Sequence, residues 1–549
     1  MVKACYVLGM QRRHFIHTLS TAVLSLQALT LARQAFAQVP PTTPPAAPHW
    51  RSNPFALGVA SGEPRPDAVL LWTRLYPGAP AVGESASRLQ LLAHFQEQSG
   101  LNAQQACVVH YDVFSDEALR HRVKQGQVRT HAGRGWSVHA RVTGLEPNRP
   151  YWYRFRCGEA VSPVGRTRTA PALGAATAQM RIALTSCQHY EQGYYAAHAE
   201  IAQQSLDVVL FAGDYIYESS NPKYRIRPHT GGMPSTLDQY RERHALYKLD
   251  PDLQACHAAH PWVCTWDDHE VENDYAGIHN IRYQDAESFL QRRAAAYQAY
   301  FEHMPVWPGA NDHGPHQRIH SHYQWGDLVD WWMLDCRQYR NAQPCRDPLK
   351  GGGRVVVACD ERDDPRRTML GSAQEQWFSD SFKAAKAHWR LVVQSTQISS
   401  TSLPTPVGRS IFTDGWDGYP VARQRLIHTL AQAPKGTVVT LGGDVHMNVA
   451  ADLRQVPNDP HSPIVAAELV TTSITSRGMG ESTLARIREH NPDIRHARSD
   501  ERGYTLIDVQ REHITATFRA TPHPVQAGAT LSTQAQYTLR HGEPGLARQ

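Results

Sequence analysis

The sequence predicts an α/β domain over residues 180–525, preceded by an all-β sandwich over 49–169. Three observations carry this reading. From His49 to Thr169, short strand-like runs are separated by turns, the pattern of a sandwich. From Met180 onward, apolar runs alternate with helical patterns such as Ala196–Gln204 and Asp285–Tyr300, which implies an α/β domain. Four of those runs end in short polar motifs, and in α/β sheets sites form beyond the carboxyl ends of strands.

Taken in order, residues 1–37 read as an export leader. Arg12-Arg13-His14-Phe15-Ile16 resembles the twin-arginine motif, and a mostly apolar stretch runs from Thr18 to Leu31. Ala35-Phe36-Ala37 then supplies a small-x-small cleavage pattern, with a mature start at Gln38. The stretch is too short and interrupted to span a bilayer, so no transmembrane anchor is expected after cleavage. The implied destination is periplasmic or extracellular, and the implied partner is the twin-arginine export machinery. Four basic residues (Lys3, Arg12, Arg13, Arg33) lie in this leader with no acid, so the formal charge of +5 falls to +1 for the rest. A nearly neutral body gives no ground for nucleic-acid binding.

Residues 38–48 (Pro40-Pro41-Thr42-Thr43-Pro44-Pro45) form a Pro-rich tether. In the sandwich, Ala68–Trp72, Val108–Val113 and Trp136–Val142 are strand-like. Gly144-Leu145-Glu146-Pro147 followed by Tyr151–Phe155 resembles the end of a fibronectin type III module, an Ig-like sandwich. The Ala/Thr-rich stretch 170–179 is the linker. In the α/β domain, further strands are expected near Tyr323–Leu334 and Trp389–Gln397, with antiparallel alternation over Tyr504–Phe518. Residues 526–549 carry no assignable pattern.

An exported chain can hold disulfides. Outside the leader there are eight cysteines: Cys107, Cys157, Cys187, Cys256, Cys264, Cys336, Cys345 and Cys359. Cys107 with Cys157, Cys256 with Cys264, and Cys345 with Cys359 are the candidate pairs, although sequence does not fix connectivity.

The four motifs carry the chemistry. Ser186-Cys187-Gln188 follows Ile182-Ala183-Leu184, and Gly213-Asp214-Tyr215-Ile216-Tyr217-Glu218 follows Val208–Phe211. Trp266-Asp267-Asp268-His269-Glu270, continuing to Asn273, follows Trp262-Val263, and Gly442-Gly443-Asp444-Val445-His446 follows Val438–Leu441. Each has a plain structural reading when taken alone: a capping Asp, a packing Tyr, a hydrogen-bonded His, a small buried Cys. Together, at matching strand ends, they bring a thiol, a phenol, an imidazole, an amide and several carboxylates to one place. Packed anionic charge at a strand end is costly without a cation, which points to metal. Tyr217 reaches the point of Asp214 if the loop enters a helical turn, and phenolate with carboxylate suits Fe(III). Asp444 and His446, two apart on an extended segment, can serve two adjacent metals.

In this order the motifs resemble the PhoD-like alkaline phosphatases, exported members of the metallophosphoesterase superfamily. Phe55–Pro64, Tyr240-Arg241 with Pro261–Asn273, Leu334–Arg340, Met369-Leu370-Gly371 and Leu441–Asn448 match further family blocks over nearly the whole mature chain. Cys336 departs from the pattern, since the family commonly carries a hydroxyl residue there. The resemblance implies two packed mixed sheets flanked by helices, and a site with iron and calcium. Carried over residue by residue, the resemblance implies that Cys187, Asp214, Tyr217 and His446 would hold Fe(III). The resemblance likewise implies that Asp214, bridging, would hold Ca(II) with Asn273, Asp444 and, as a further candidate, Asp268. Spacing alone does not distinguish calcium from manganese or zinc.

The expected activity is hydrolysis of phosphomonoesters, phosphodiesters or both, by a metal-activated hydroxide. Arg241 or Arg337 is a candidate clamp for the phosphoryl oxygens, and His269 a candidate acid for the leaving group. Two rivals stand beside this reading: a dedicated phosphodiesterase or phospholipase D-like enzyme, and a cell-surface binding protein with a structural metal site.

Overall fold

The computed structural model describes residues 45–78, 88–229, 231–307 and 314–549; the leader and most of the tether lie outside these. Two sheets pack face to face. The first has ten strands, in the order Ala547–Arg548, Ser532–Arg540, His513–Pro522, Glu501–Gln510, Gln179–Thr185, Val208–Ala212, Pro261–Thr265, Val59–Gly62, Ala68–Arg74 and Ser137–Thr143. The second has seven: Ser321–Trp325, Val329–Met333, Trp389–Val393, Val438–Gly442, Ile464–Val470, Asn448–Arg454 and Ile494–Arg498. Both are mixed, with parallel centres and antiparallel flanks.

The uninterrupted apolar runs are explained by burial of both strand faces. Val208, Leu210 and Ala212 face the second sheet, in one core with Trp331, Leu391, Val439 and Leu469. Their neighbours Val209 and Phe211 face outward onto Ile201, Tyr297 and Tyr300 of the helices Ala196–Gln203 and Ala286–His303. On the other side, Trp332, Val392 and Val438 meet Phe378, Phe382, Leu426 and Leu430 of the helices Ser372–Ala384 and Pro420–Leu430. The order helix, sheet, sheet, helix is the predicted α/β architecture. Local signals set the helix starts: Asp285 caps the Ser288 amide, and Thr236 forms a reciprocal box with Gln239 at the start of Leu237–Lys248.

The amino-terminal region is β-rich, with one α-helix among the described residues, Arg88–Ser99. Its five-stranded sheet packs Val109, Val113, Tyr153 and Phe155 against Val69, Leu71 and Val138. That opposing layer is shared with the next domain: Ser61 pairs in parallel with Pro261, so three amino-terminal strands extend the ten-stranded sheet. Residues 526–549 supply the opposite edge of the same sheet. Alternation along a strand specifies which face is buried, not whose edge it joins.

Among the cysteine pairs, Cys345–Cys359 is bonded. The other two expected pairs are not: Cys107, Cys157, Cys256 and Cys264 are buried free thiols packed as small apolar groups. Cys336 is also free, its thiol directed at Gln394 Oε1. Among the described residues, no helix is long and apolar enough to cross a membrane.

Candidate metal centre

Three of the motifs follow neighbouring strands of the first sheet and the fourth follows a central strand of the second, so their carboxyl ends meet at one edge of the sandwich. The turns are tight and left-handed: φ is 57° at Cys187, 60° at Asp214, 63° at Asp444 and 54° at His446. Non-glycine residues adopt such conformations at a cost and cluster at functional sites. The turns are tied together, since Cys187 N donates to Gly213 O and Gln188 N to Asp214 O, both at 3.1 Å. Glycine is required at position 213, where φ is 103° and a Cβ would stand 2.6 Å from Asp267 Cβ. At 443, a Cβ would meet Ser186 Oγ at 2.4 Å.

Cys187, Asp214 and His446 present donor atoms all within 4.8 Å of one another. Tyr217 joins them: its hydroxyl donates to Asp214 Oδ2 at 2.9 Å and lies 3.1 Å from His446 Nε2. Ser476 Oγ donates to the same phenol at 2.7 Å. Arg477 O lies 2.9 Å from His446 Nδ1, which places the proton there and leaves the Nε2 lone pair facing the group. Burial, with Arg502 beside it, pushes the His446 pKa down to about 3, so the imidazole is neutral. Burial and Asp214 push the Cys187 thiol up; burial also raises the Asp214 carboxyl. Soft sulfur, phenol, imidazole and carboxylate together suit a transition metal.

Two further groups adjoin it, Asp214–Asp268–His269 and Asp268–Asp274–Asp414. His269 Nδ1 lies 2.6 Å from Glu218 Oε2. Burial opposes its charge, but Glu218, Asp268 and Asp214 hold its pKa well above the usual imidazole range. Asp268 Oδ1 is buried without a hydrogen-bond partner, an orphaned acceptor facing other carboxylates. Asp274 is raised to about 7 by burial and by Asp414 and Asp268. Oxygen-only donors of this kind suit Ca²⁺.

Asp414 was beyond the reach of the strand-end pattern, because it follows the short strand Gly408–Phe412 of a separate three-stranded sheet. Its signal in the sequence is the Gly-punctuated block Thr413-Asp414-Gly415-Trp416-Asp417-Gly418. Asp274 directly follows Asn273, the last residue of the third motif. Asp444 falls in none of the three close groups, yet Asp267, Asp268 and Asp414, together with its burial, raise its carboxyl. Asn273 is half-buried beside Asp274, its backbone N–H donating to Glu218 Oε1 at 3.0 Å.

Of the two arginine clamps, Arg241 needs correction. Arg241 is absorbed in a buried pair, with Nε and Nη2 on Glu302 at 2.6 and 2.7 Å, Nη1 on Asp238 and Nη2 also on Gly133 O. This ties two helices to the amino-terminal domain. Arg337 does reach the centre, but it is spent on carboxylates: Asp267 at 2.6 and 3.2 Å, Asp414 at 2.8 Å and Asp268 at 3.5 Å. It balances charge and orients acids there. A separate cavity of about 340 Å³, between Arg65, Trp307 and Trp377, shares no residue with the centre.

Comparison with known proteins agrees with this geometry. Residues 182–518 match the model of the PhoD-like phosphatase family, and residues 41–171 match that of the PhoD-like phosphatase amino-terminal domain. The chain is 40% identical over 511 residues to alkaline phosphatase D of Bacillus subtilis (strain 168), covering 92% of this chain and 84% of that protein. A solved structure of PhoD superposes with a TM-score of 0.83 at 38% identity, covering 91% of this chain and 93% of that one. The chain therefore belongs to the PhoD-like phosphatase family, and is a hydrolase of phosphoric esters.

Proposed function

We propose that this protein is an exported, metal-dependent alkaline phosphatase or phosphodiesterase whose centre holds Fe(III) and Ca(II). The observation that carries the reading is the meeting of Cys187, Asp214, Tyr217 and His446, four different donor chemistries within hydrogen-bonding range of one another. The fit is chemical. The thiol and carboxyl are raised by burial, His446 is neutral with its free nitrogen inward, and Asp268 leaves a buried oxygen unpartnered.

Cys187, Asp214, Tyr217 and His446 would hold iron. Asp214, Asn273, Asp444 and Asp268 would hold calcium, and the geometry supports adding Asp274 and Asp414 to that oxygen set. Bound ions supply Lewis acidity toward the phosphoryl oxygens and activate water for attack on phosphorus. The chain does the remaining work. Glu218 keeps His269 protonated and oriented, so the imidazolium gives its proton to the departing ester oxygen as the P–O bond breaks. Ser476 orients the Tyr217 phenol, Arg477 O fixes the His446 tautomer, and Arg337 holds Asp267 and Asp414 in place.

Export by the twin-arginine route rests on the sequence of the leader, outside the described residues. The binding-protein alternative gives way to the family assignment. Hydrolysis of p-nitrophenyl phosphate and bis-p-nitrophenyl phosphate, before and after chelation, tests the reading. Activity lost on chelation and restored by iron with calcium is expected; full activity in chelated protein would refute it.

A further inference from the structure

We propose that Arg477 and Lys223, gathered on one aromatic ring, form a subsite at the mouth of the centre for a second phosphate of the substrate. The inference rests on the phosphoesterase reading above and names a substrate class: esters carrying a further phosphate beyond the one cleaved.

Arg477 is fastened to the centre through its main chain. Its amide donates to Gln192 Oε1 at 2.7 Å, and its carbonyl accepts from His446 Nδ1 at 2.9 Å. The preceding Ser476 Oγ lies 2.7 Å from the Tyr217 hydroxyl and 2.8 Å from Cys187 O. The chain passes so closely that a Cβ at Gly478 would stand 2.5 Å from His446 O. The Arg477 side chain is nevertheless exposed. Its guanidinium lies 4.3 Å over the Tyr224 ring, with Nη1 donating to the Tyr224 hydroxyl at 2.5 Å.

Lys223 Nζ stands 5.3 Å from the same ring centroid. Neither cation has a carboxylate partner among the described residues. Two cations on one ring repel each other, and a doubly charged anion between them would turn that repulsion into charge-assisted hydrogen bonding. An arginine fork is suited to phosphate.

The ring is held in place and does not trail in solvent. Buried Glu191 accepts from Ser220 Oγ at 2.8 Å, Asn221 N at 3.0 Å and His229 N at 3.0 Å, clamping the segment that carries Tyr224. Two residues earlier, His189 stacks on Tyr217, 4.3 Å between ring centroids. Both halves of the subsite are thus anchored to residues of the centre.

The test is calorimetric binding of two non-hydrolysable probes, propane-1,3-bisphosphonate and propylphosphonate, to the purified protein at low and high salt. The wild type should prefer the bisphosphonate by about tenfold, beyond the twofold statistical factor, with the preference shrinking as salt rises. Arg477→Gln and Lys223→Gln should each reduce the preference, and the double variant should bring it to about the statistical value. Lys223→Gln separates the subsite from any effect on His446, because Lys223 meets only the tyrosine ring. No preference in the wild type, or a preference kept by the double variant, would overturn the proposal. Preferential binding by a protein that hydrolyses no phosphate ester would leave the subsite standing and overturn the functional reading instead.

Discussion

Tyr217 donates its phenolic proton to the Asp214 carboxylate across 2.9 Å, and both residues lie on the turn that follows one strand, Val208–Ala212. The phenol also touches His446 from the opposite sheet, so a single ring joins donors from two sheets. Tyr217→Phe keeps the ring stacked on His189 and packed at a tilt against His269 but removes the oxygen. The expected outcome is a folded protein with iron retention and kcat/KM reduced by roughly 10- to 100-fold. Elemental analysis and steady-state kinetics on the same sample check both.

Glu218 bears on the leaving-group step through its 2.6 Å contact with His269. Glu218→Gln removes the charge that keeps the imidazolium protonated. Turnover of alkyl phosphate esters should fall by about 100-fold or more, and turnover of p-nitrophenyl esters by much less, because a good leaving group needs no acid. Equal losses on both substrates would show that Glu218 serves another purpose.

How much of this was legible in the sequence varies by residue. Cys187, Asp214, Tyr217 and His446 could be read because each lies at a fixed offset past a doubly buried strand, and such runs stand out. Asp414 could not, since its strand belongs to a small separate sheet and its place depends on Arg337 and Gln343, distant in sequence. Arg241 looked catalytic because it sits in a family block, but only the packing of two helices reveals Glu302 as its partner. The shared sheet escaped for a related reason: the Ser61–Pro261 pairing leaves no mark on either strand's alternation.

The Arg241 correction has its own consequence. Arg241→Met strands the buried Glu302 carboxylate, so stability should fall by about 3–5 kcal/mol. KM should stay near the wild-type value in whatever protein remains folded. Denaturant unfolding together with kinetics distinguishes this from a substrate clamp, which would raise KM and leave stability near wild type.

The pH dependence of metal stabilisation follows from the raised carboxyls. Burial, then Asp268, Asp267 and Glu270, lift Asp214 against the pull of His269; burial with Asp414 and Asp268 lifts Asp274 to about 7. Such groups bind more protons folded than unfolded from about pH 4 up to their folded pKa, so cation-free stability falls as pH rises through that window. His269, raised above its ordinary value, acts with the same sign above about pH 6.5. A cation on these ligands favours their ionised forms, so the Tm difference between loaded and chelated protein should widen from pH 5 to pH 8. A difference that is constant or shrinks would contradict the charge arrangement.

The most direct test of two chemically distinct cation sets is metal content per chain in three purified proteins: wild type, Cys187→Ser and Asp414→Asn. The account predicts iron and calcium in the wild type, selective loss of iron in Cys187→Ser, and selective loss of calcium in Asp414→Asn. Wild-type protein without iron, or Cys187→Ser protein that keeps it, would contradict the account.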